Sequence, residues 1–113
     1  MNCRISTTEI FERSLKRLAK RYKSMKDDFA TLLKSLHENP LQGVDLGSGL
    51  HKVRMSISAK GKGKRGGARV ITYKIFQEED DIEIRLVDIY DKSQCESLSD
   101  KEIQAILEKS GLK

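Results

Sequence analysis

Apolar residues recur at helical spacing in the first third of this chain, which predicts two amphipathic helices. The apolar stripe of the first helix consists of Phe11, Leu15, Leu18 and Tyr22. The second stripe begins at Met25 and continues to Leu36. Pro40 limits this helix, because the residue before a proline is pushed out of the helical region. Since the connection between them is so short, the two helices should form an antiparallel hairpin.

In the middle of the chain, apolar residues recur at every second position, and this alternation with polar residues is typical of half-buried strands. In HKVRMSIS, Val53, Met55 and Ile57 share one face, while Lys52 and Arg54 share the other. The runs ARVITYKIF and IEIRLVDIY are rich in β-branched residues and predict two more strands. NCRIST predicts a short strand at the start, and the glycines of LQGVDLGSGL predict a loop.

A last helix is predicted where Ser99 and Glu102 have capping-box spacing, and Gly111 should end it. The predicted order of elements is β-α-α-β-β-β-α. We therefore expect an α+β fold with an antiparallel sheet and the helical hairpin on one face of it. The chain, residues 1–113, has the usual length of a single domain with one modest core.

Charge is distributed unevenly along the chain. Residues 46–77 contain eight lysines and arginines and no carboxylate, whereas residues 78–113 contain five cations and eleven anions. A segment without carboxylates concentrates positive potential, and its natural partner is a polyanion. The alternative is a solvated basic face that the acidic last third offsets.

The densest positive charge lies in KGKGKRGGAR, between two predicted strands. Its cations are Lys60, Lys62, Lys64, Arg65 and Arg69. The glycines between them allow positive φ angles and a close approach to a ligand. The loop lacks P-loop spacing and joins two strands instead of opening a helix. We therefore interpret it as a flexible basic finger that contacts a phosphodiester backbone.

A lysine or arginine on a strand is a better candidate for catalysis than one on a loop, because the strand fixes the position of its side chain. If the strands around the loop pair, Lys52 or Arg54 should lie near Arg69. Such a cluster would suit RNA cleavage without a metal. Lysine crowded by like charges has a lowered pKa and can exchange protons, and arginine can stabilise the phosphorane.

Three further side chains have less specific signals. His51 is a candidate acid or base, although a single histidine at the start of a strand is more often a surface residue. Tyr73 and Tyr90 are candidates to stack on bases, although Tyr73 is better explained as part of the core.

Metal, disulfide and membrane functions have no support in the sequence. Cys3 and Cys95 lack CxxC spacing and neighbouring histidines, so a structural metal is not expected. No apolar run approaches the roughly 20 residues of a membrane span, and the start has no leader-like apolar segment. We expect a cytoplasmic protein with reduced thiols, no cofactor and no membrane contact.

Several local strings resemble the RelE/ParE superfamily of bacterial type II toxins, most of all its HigB-like branch. The most specific is KGKGKRGGARVITY, a basic glycine loop that leads into a β-branched strand. FERSLKRLAKRYKSMKDDFATLL, NPLQGVDLGSGLHKVRM and YDKSQCESLSDKEI extend the resemblance over nearly the whole chain. The resemblance implies a toxin that cleaves messenger RNA on the ribosome and is silenced by a cognate antitoxin.

The resemblance also implies a set of site residues on the concave sheet face. The catalytic residues would be Lys52, Arg54, Arg69 and Lys92. The loop cations Lys60, Lys62, Lys64 and Arg65 would bind RNA. The stretch CESLSD has no tyrosine where RelE itself has one that stacks on the substrate base. Tyr90 is the candidate substitute.

Two other functions remain open from the sequence. A ParE-like relative would poison DNA gyrase, and it would have no need of a cation cluster on the sheet. A plain RNA-binding module would need only the charge, which is sufficient for salt-dependent affinity. The low aromatic content argues against sequence-specific stacking on single strands.

Overall fold

The structure is a computed structural model that describes residues 2–95 and 97–112. These residues form an α+β domain with the order β-α-α-β-β-β-β-α. Two short 3-10 turns, Ser58–Lys60 and Lys64–Gly66, lie within residues 56–67, which we call the basic loop. The strands and helices are β1 (Asn2–Thr7), α1 (Glu9–Arg21), α2 (Met25–Glu38), β2 (Val44–Gly47), β3 (Leu50–Met55), β4 (Ala68–Glu78), β5 (Asp81–Asp91) and α3 (Asp100–Lys109).

The sheet has the strand order β1-β5-β4-β3-β2 and is mixed. The prediction of a purely antiparallel sheet is therefore wrong at one edge, where β1 pairs with β5 in parallel. The remaining pairs are antiparallel and form a meander. After β1, the helical hairpin carries the chain across to the far edge of the sheet. The four-strand meander then returns to β1 with β5 pointing in the same direction.

The extra strand β2 was predicted as a loop. Val44 pairs with Lys52 and Asp45 pairs with His51. Gly47 and Gly49 have φ angles of 87° and 86°, a region that glycine enters without steric cost. The glycines therefore make a tight turn between two strands, and the residues before them are free to pair.

The larger core lies between the sheet and the helical hairpin, as predicted. Phe11 and Leu18 of α1 and Leu32 and Leu36 of α2 are buried there. Phe11 also contacts Phe29 across the hairpin, with ring centroids 5.6 Å apart. The predicted core face formed by Val53, Met55 and Ile57 is confirmed, since all three belong to this core. Ile82, Ile84 and Leu86 of β5 join them there.

A second core lies on the opposite face of the sheet, where the sequence predicted only one core. Helix α3 buries Ile103 and Leu107 against the sheet residues Leu50, Ile71 and Val87. The predicted capping box of α3 is confirmed. The Ser99 hydroxyl accepts the Glu102 N–H and the Glu102 carboxylate accepts the Ser99 N–H, each at 3.1 Å. Part of the sheet face expected to be the open, active surface is therefore covered.

A bulge in β5 decides which side chains face each core. Ile71 pairs with Asp88 and Thr72 pairs with Leu86, so Val87 is the extra residue. As a result, Leu86 and Ile89 both belong to the core under the hairpin, although residues three positions apart face opposite sides of a regular strand. The side chain of Val87 joins the core under α3.

Candidate nucleic-acid interface

Arg54 and Arg69 lie side by side on adjacent strands, as the sequence predicted. Arg54 of β3 is the register partner of Arg69 of β4, and Arg69 is in turn the partner of Tyr90 of β5. Lys52 lies two residues from Arg54 on the same strand, and hence on the same face. The pairing of β3 and β4 therefore brings three cations into one row at this end of the sheet.

The Arg69 side chain is directed into the protein's own basic loop. It is only 5% exposed. Its Nη1 donates to the carbonyl oxygens of Lys64 at 2.9 Å and Ala68 at 3.0 Å, and its Nη2 donates to Arg65 O at 3.1 Å. Burial lowers the pKa of Arg69, and the positive charge of Arg54 lowers it further. Arg69 therefore holds the loop in place, and most of its donors are not available to a substrate.

Lys60 was predicted to bind RNA, and the structure directs it to a carboxylate of the same chain instead. Its Nζ lies 2.8 Å from Asp91 Oδ1, where the lysine side chain is 11% exposed and the aspartate side chain 0%. Asp91 also accepts hydrogen bonds from the Tyr22 hydroxyl and from the backbone and hydroxyl of Ser93. Lys60 is therefore paired within its own chain, and its predicted role in RNA binding stays a prediction.

These contacts determine the ionisation of Asp91. Burial alone would raise its pKa, but the hydrogen bonds from Lys60, Tyr22 and Ser93 outweigh burial and hold the pKa well below its usual range. The hydrogen bond to Asp91 raises the pKa of Tyr22. Asp91 therefore remains an anion and fixes Lys60 at neutral pH.

A second buried carboxylate anchors the start of the same loop. Asp28 of α2 accepts hydrogen bonds from the Ser58 N–H at 2.8 Å, the Ser58 hydroxyl at 2.6 Å and the Ser24 hydroxyl at 2.7 Å. Burial would raise the pKa of Asp28, but the hydrogen bonds from Ser58 and Ser24 lower it. Asp28 therefore binds the turn Ser58–Lys60 to the helical hairpin.

Gly67 is the position where the loop needs a glycine most. A Cβ atom there would lie 2.0 Å from the carbonyl oxygen of Met55. The Gly67 carbonyl accepts the Lys92 N–H at 3.1 Å, which joins the loop to the end of β5. With the contacts of Arg69, Asp91 and Asp28, this close approach makes the loop an anchored structure. The prediction of a flexible finger is wrong for these parts of it.

Five predicted site cations have exposed side chains: Arg54, Lys62, Lys64, Arg65 and Lys92. Within residues 2–95 and 97–112, the salt bridges of the structure involve none of them. They border the same end of the sheet, since Arg69 bonds to Lys64 and Arg65 and the loop bonds to Lys92. This basic end is an exposed surface on which phosphate oxygens can bind.

The aromatic candidates are packed inside the protein. Tyr90 is 9% exposed and belongs to the core under α3, and Tyr73 packs against the same core. Burial raises the pKa of Tyr90. A ring buried in this way leaves little surface on which a base could stack, so the stacking on Tyr90 stays a prediction. His51 is three positions from Arg54 on β3, so the two side chains face opposite sides of the sheet. His51 therefore faces the hairpin side and lies outside the basic end.

Across the described residues, no group of three or more histidine, cysteine or acidic side chains is placed to hold a metal ion. Cys3 and Cys95 are both free thiols. In the same part of the chain, no helix has the length and apolar character needed to cross a bilayer.

The sequence analysis did not find the supporting carboxylates Asp28 and Asp91. A signal for Asp91 exists, since a carboxylate that ends the apolar run LVDIY needs a cation if its side chain is buried. Asp28 resembled an ordinary acidic residue in the first turn of a helix.

Comparison with known proteins adds no family assignment. A scan of the chain against protein-family models gives no match. A search of curated proteins gives no match either.

Proposed function

We propose that this protein is the toxin of a bacterial type II toxin–antitoxin pair and acts in the cytoplasm as a ribosome-dependent endoribonuclease that cleaves messenger RNA. The observation that supports this proposal most directly is the adjacent placement of Arg54 and Arg69, with exposed cations around them. A scissile phosphate needs such a cluster, because charge develops on its oxygens in the transition state.

The residues of the basic end would have different roles. The exposed guanidinium of Arg54 binds the phosphate and stabilises the phosphorane, since arginine keeps its charge and offers paired donors. Lys52, on the same face of β3, and Lys92, just after β5, would exchange protons with the ribose 2′-oxygen and the leaving 5′-oxygen. Arg69 is a positioning residue, because its donors hold the carbonyls of Lys64 and Arg65.

Lys62, Lys64 and Arg65 would bind neighbouring phosphates of the message or of ribosomal RNA. Each phosphate contact adds salt-dependent affinity without reading sequence. The proposed partner that silences the toxin is a cognate antitoxin whose acidic or apolar segment covers the same basic end. The proposal involves no metal and no small-molecule cofactor.

The test is cleavage of a defined message in a translating extract, with the new 5′ ends mapped. The Arg54→Ala variant should cleave about 10²–10³ times more slowly, the usual cost of removing one donor to the transition state. Arg13→Ala is the matched control, because Arg13 is an exposed arginine on α1. A wild-type protein that leaves the message intact on active ribosomes would refute the proposal.

A non-catalytic RNA-binding module is the second candidate. It is favoured by one observation, namely that Arg69, Lys60 and Tyr90 are all engaged inside the protein. With these three side chains engaged, the exposed cations that remain would bind phosphates without cleaving RNA. RNA affinity that falls with salt, without cleavage even on ribosomes, would support this candidate over the nuclease.

A further inference from the structure

A cleft of about 290 Å³ lies between α2 and the edge of β3, beside the basic end. Its walls come from Thr31, Leu32 and Ser35 of α2, Gln42 of the following loop, and the β3 edge. Strand β2 pairs only with residues 50–52 of β3. In the described part of the chain, the edge of β3 from Val53 onward has no strand on that side, so the cleft is accessible there.

The polar groups of the cleft include an unused acceptor and an unused donor. Gln42 Nε2 donates to Ser35 Oγ at 2.9 Å and to Asn39 O at 3.1 Å, so Gln42 Oε1 is left as an acceptor. Ser35 Oγ accepts from Gln42, and its own hydroxyl proton can point into the cleft. An acceptor beside a donor complements the Watson–Crick edge of a nucleobase, which presents both kinds of group.

Apolar surface and charge complete a surface suited to a nucleotide. Leu32 and Met55 are core residues that line the floor of the cleft with the small apolar surface they leave exposed. Arg54 and Lys64 also line it, and neither forms a salt bridge among the described residues. Asp28 is part of the wall, but both of its oxygens already accept hydrogen bonds from Ser24 or Ser58. Asp28 remains an anion, and the positive charges of Arg54 and Lys64 on the same cleft outnumber it.

We propose that this cleft binds one nucleotide of a single-stranded RNA, with the base between α2 and β3 and a neighbouring phosphate on Arg54. The inference rests on the proposed function only in that RNA supplies the nucleotide. An RNA strand that crosses the free edge of β3 would place a base in the cleft and the adjoining phosphate at Arg54 and Lys64, which line it. The cleft thereby gives the basic end a contact with a base, which phosphate binding by itself cannot supply.

The test is an NMR titration of the ¹⁵N-labelled full chain with the four ribonucleoside 5′-monophosphates, and separately with inorganic phosphate. Nucleotides should shift the amides of Thr31, Ser35 and Gln42 in a saturable way at millimolar concentration. Inorganic phosphate should shift only the amides near Arg54 and Lys64. If both ligands give the same shifts, the protein binds anions without a base site and the inference is overturned.

Variants test whether the base occupies the cleft. Ser35→Leu fills the cleft and should weaken nucleotide binding about tenfold, the equivalent of about 1.4 kcal/mol, while the response to phosphate stays unchanged. His37→Leu is the control, because His37 is exposed on the same helix and does not line the cleft. If Ser35→Leu does not fold, Gln42→Met removes the acceptor and should weaken binding in the same direction. Unchanged nucleotide affinity in a folded variant would overturn the inference.

The outcome is separable from that of the nuclease assay. Nucleotide shifts in the cleft without message cleavage would support the cleft and refute the nuclease. Message cleavage without any nucleotide shift in the cleft would refute the cleft and leave the nuclease standing. A cleft that responds to an extended peptide along the β3 edge, and to no nucleotide, would identify a protein-docking edge and overturn the inference.

Discussion

The ion pair between Lys60 and Asp91 should be the most costly single contact to break in the basic loop. Asp91→Ala removes a carboxylate whose side chain is 0% exposed and leaves Lys60, whose side chain is 11% exposed in the intact protein, without its anionic partner. Loss of one partner from a buried pair costs about 3–5 kcal/mol, because the remaining charge is desolvated without compensation. Domains of this size have about 5–15 kcal/mol of stability, so the variant should fold but unfold at much lower urea concentration.

Substitution of the lysine should reduce the free energy of unfolding less than substitution of the aspartate. In Lys60→Met, Asp91 keeps the hydrogen bonds from the Tyr22 hydroxyl and from Ser93. The apolar stem of methionine also keeps much of the packing of the lysine stem. We therefore expect Asp91→Ala to destabilise the protein more than Lys60→Met. Asp91→Asn, which keeps the shape and part of the hydrogen bonding, should lie between them.

A double-mutant cycle measured by urea unfolding, with far-UV circular dichroism as the signal, tests this reasoning. The Lys60→Met/Asp91→Ala double variant should be more stable than the sum of the single effects predicts, by about 1–3 kcal/mol. Slopes of the unfolding transitions should agree among variants, so that midpoints compare directly. Strictly additive costs would show that the two side chains do not stabilise each other, and the proposed anchoring of the loop would be wrong.

Three further predictions concern the same end of the sheet. Asp28 and Asp91 both have a lowered pKa in the folded protein, so the stability they contribute is present above the unfolded pKa of ~3.9 and is lost as the pH falls below it. In the Asp28→Asn/Asp91→Asn variant, the free energy of unfolding should therefore fall less steeply between neutral and acid pH than in the wild type. Gly67→Ala should destabilise the protein by about 1–3 kcal/mol in urea unfolding, because the added Cβ would overlap the Met55 carbonyl. Arg69→Lys should lower the melting temperature by several degrees, since lysine cannot reproduce the three hydrogen bonds of the guanidinium. Arg54→Lys is the control and should leave the melting temperature unchanged. Equal melting temperatures of the two variants would contradict the positioning role of Arg69.

Most of the local elements, although not strand β2, and the distribution of charge follow from the sequence alone. Helical spacing fixed the hairpin, alternation fixed the core faces of β3, and the capping box fixed the start of α3, because each depends on residues close together in the chain. The sequence also predicted that Lys52 or Arg54 would lie near Arg69, since strands that are consecutive in the chain often pair antiparallel, and the structure pairs Arg54 with Arg69.

Tertiary structure decided what each cation contacts. The bulge at Val87 reverses the alternation of β5, so Asp91 faces Tyr22 and Lys60 while Tyr90 joins the core under α3. The parallel edge strand, the second core and the inward direction of Arg69 depend in the same way on segments that are distant in sequence. A local pattern records which side chains can carry charge, but burial and the position of opposite charges belong to the folded chain as a whole. The same physical reason explains why Arg54 remains exposed to solvent while Lys60 and Arg69 do not.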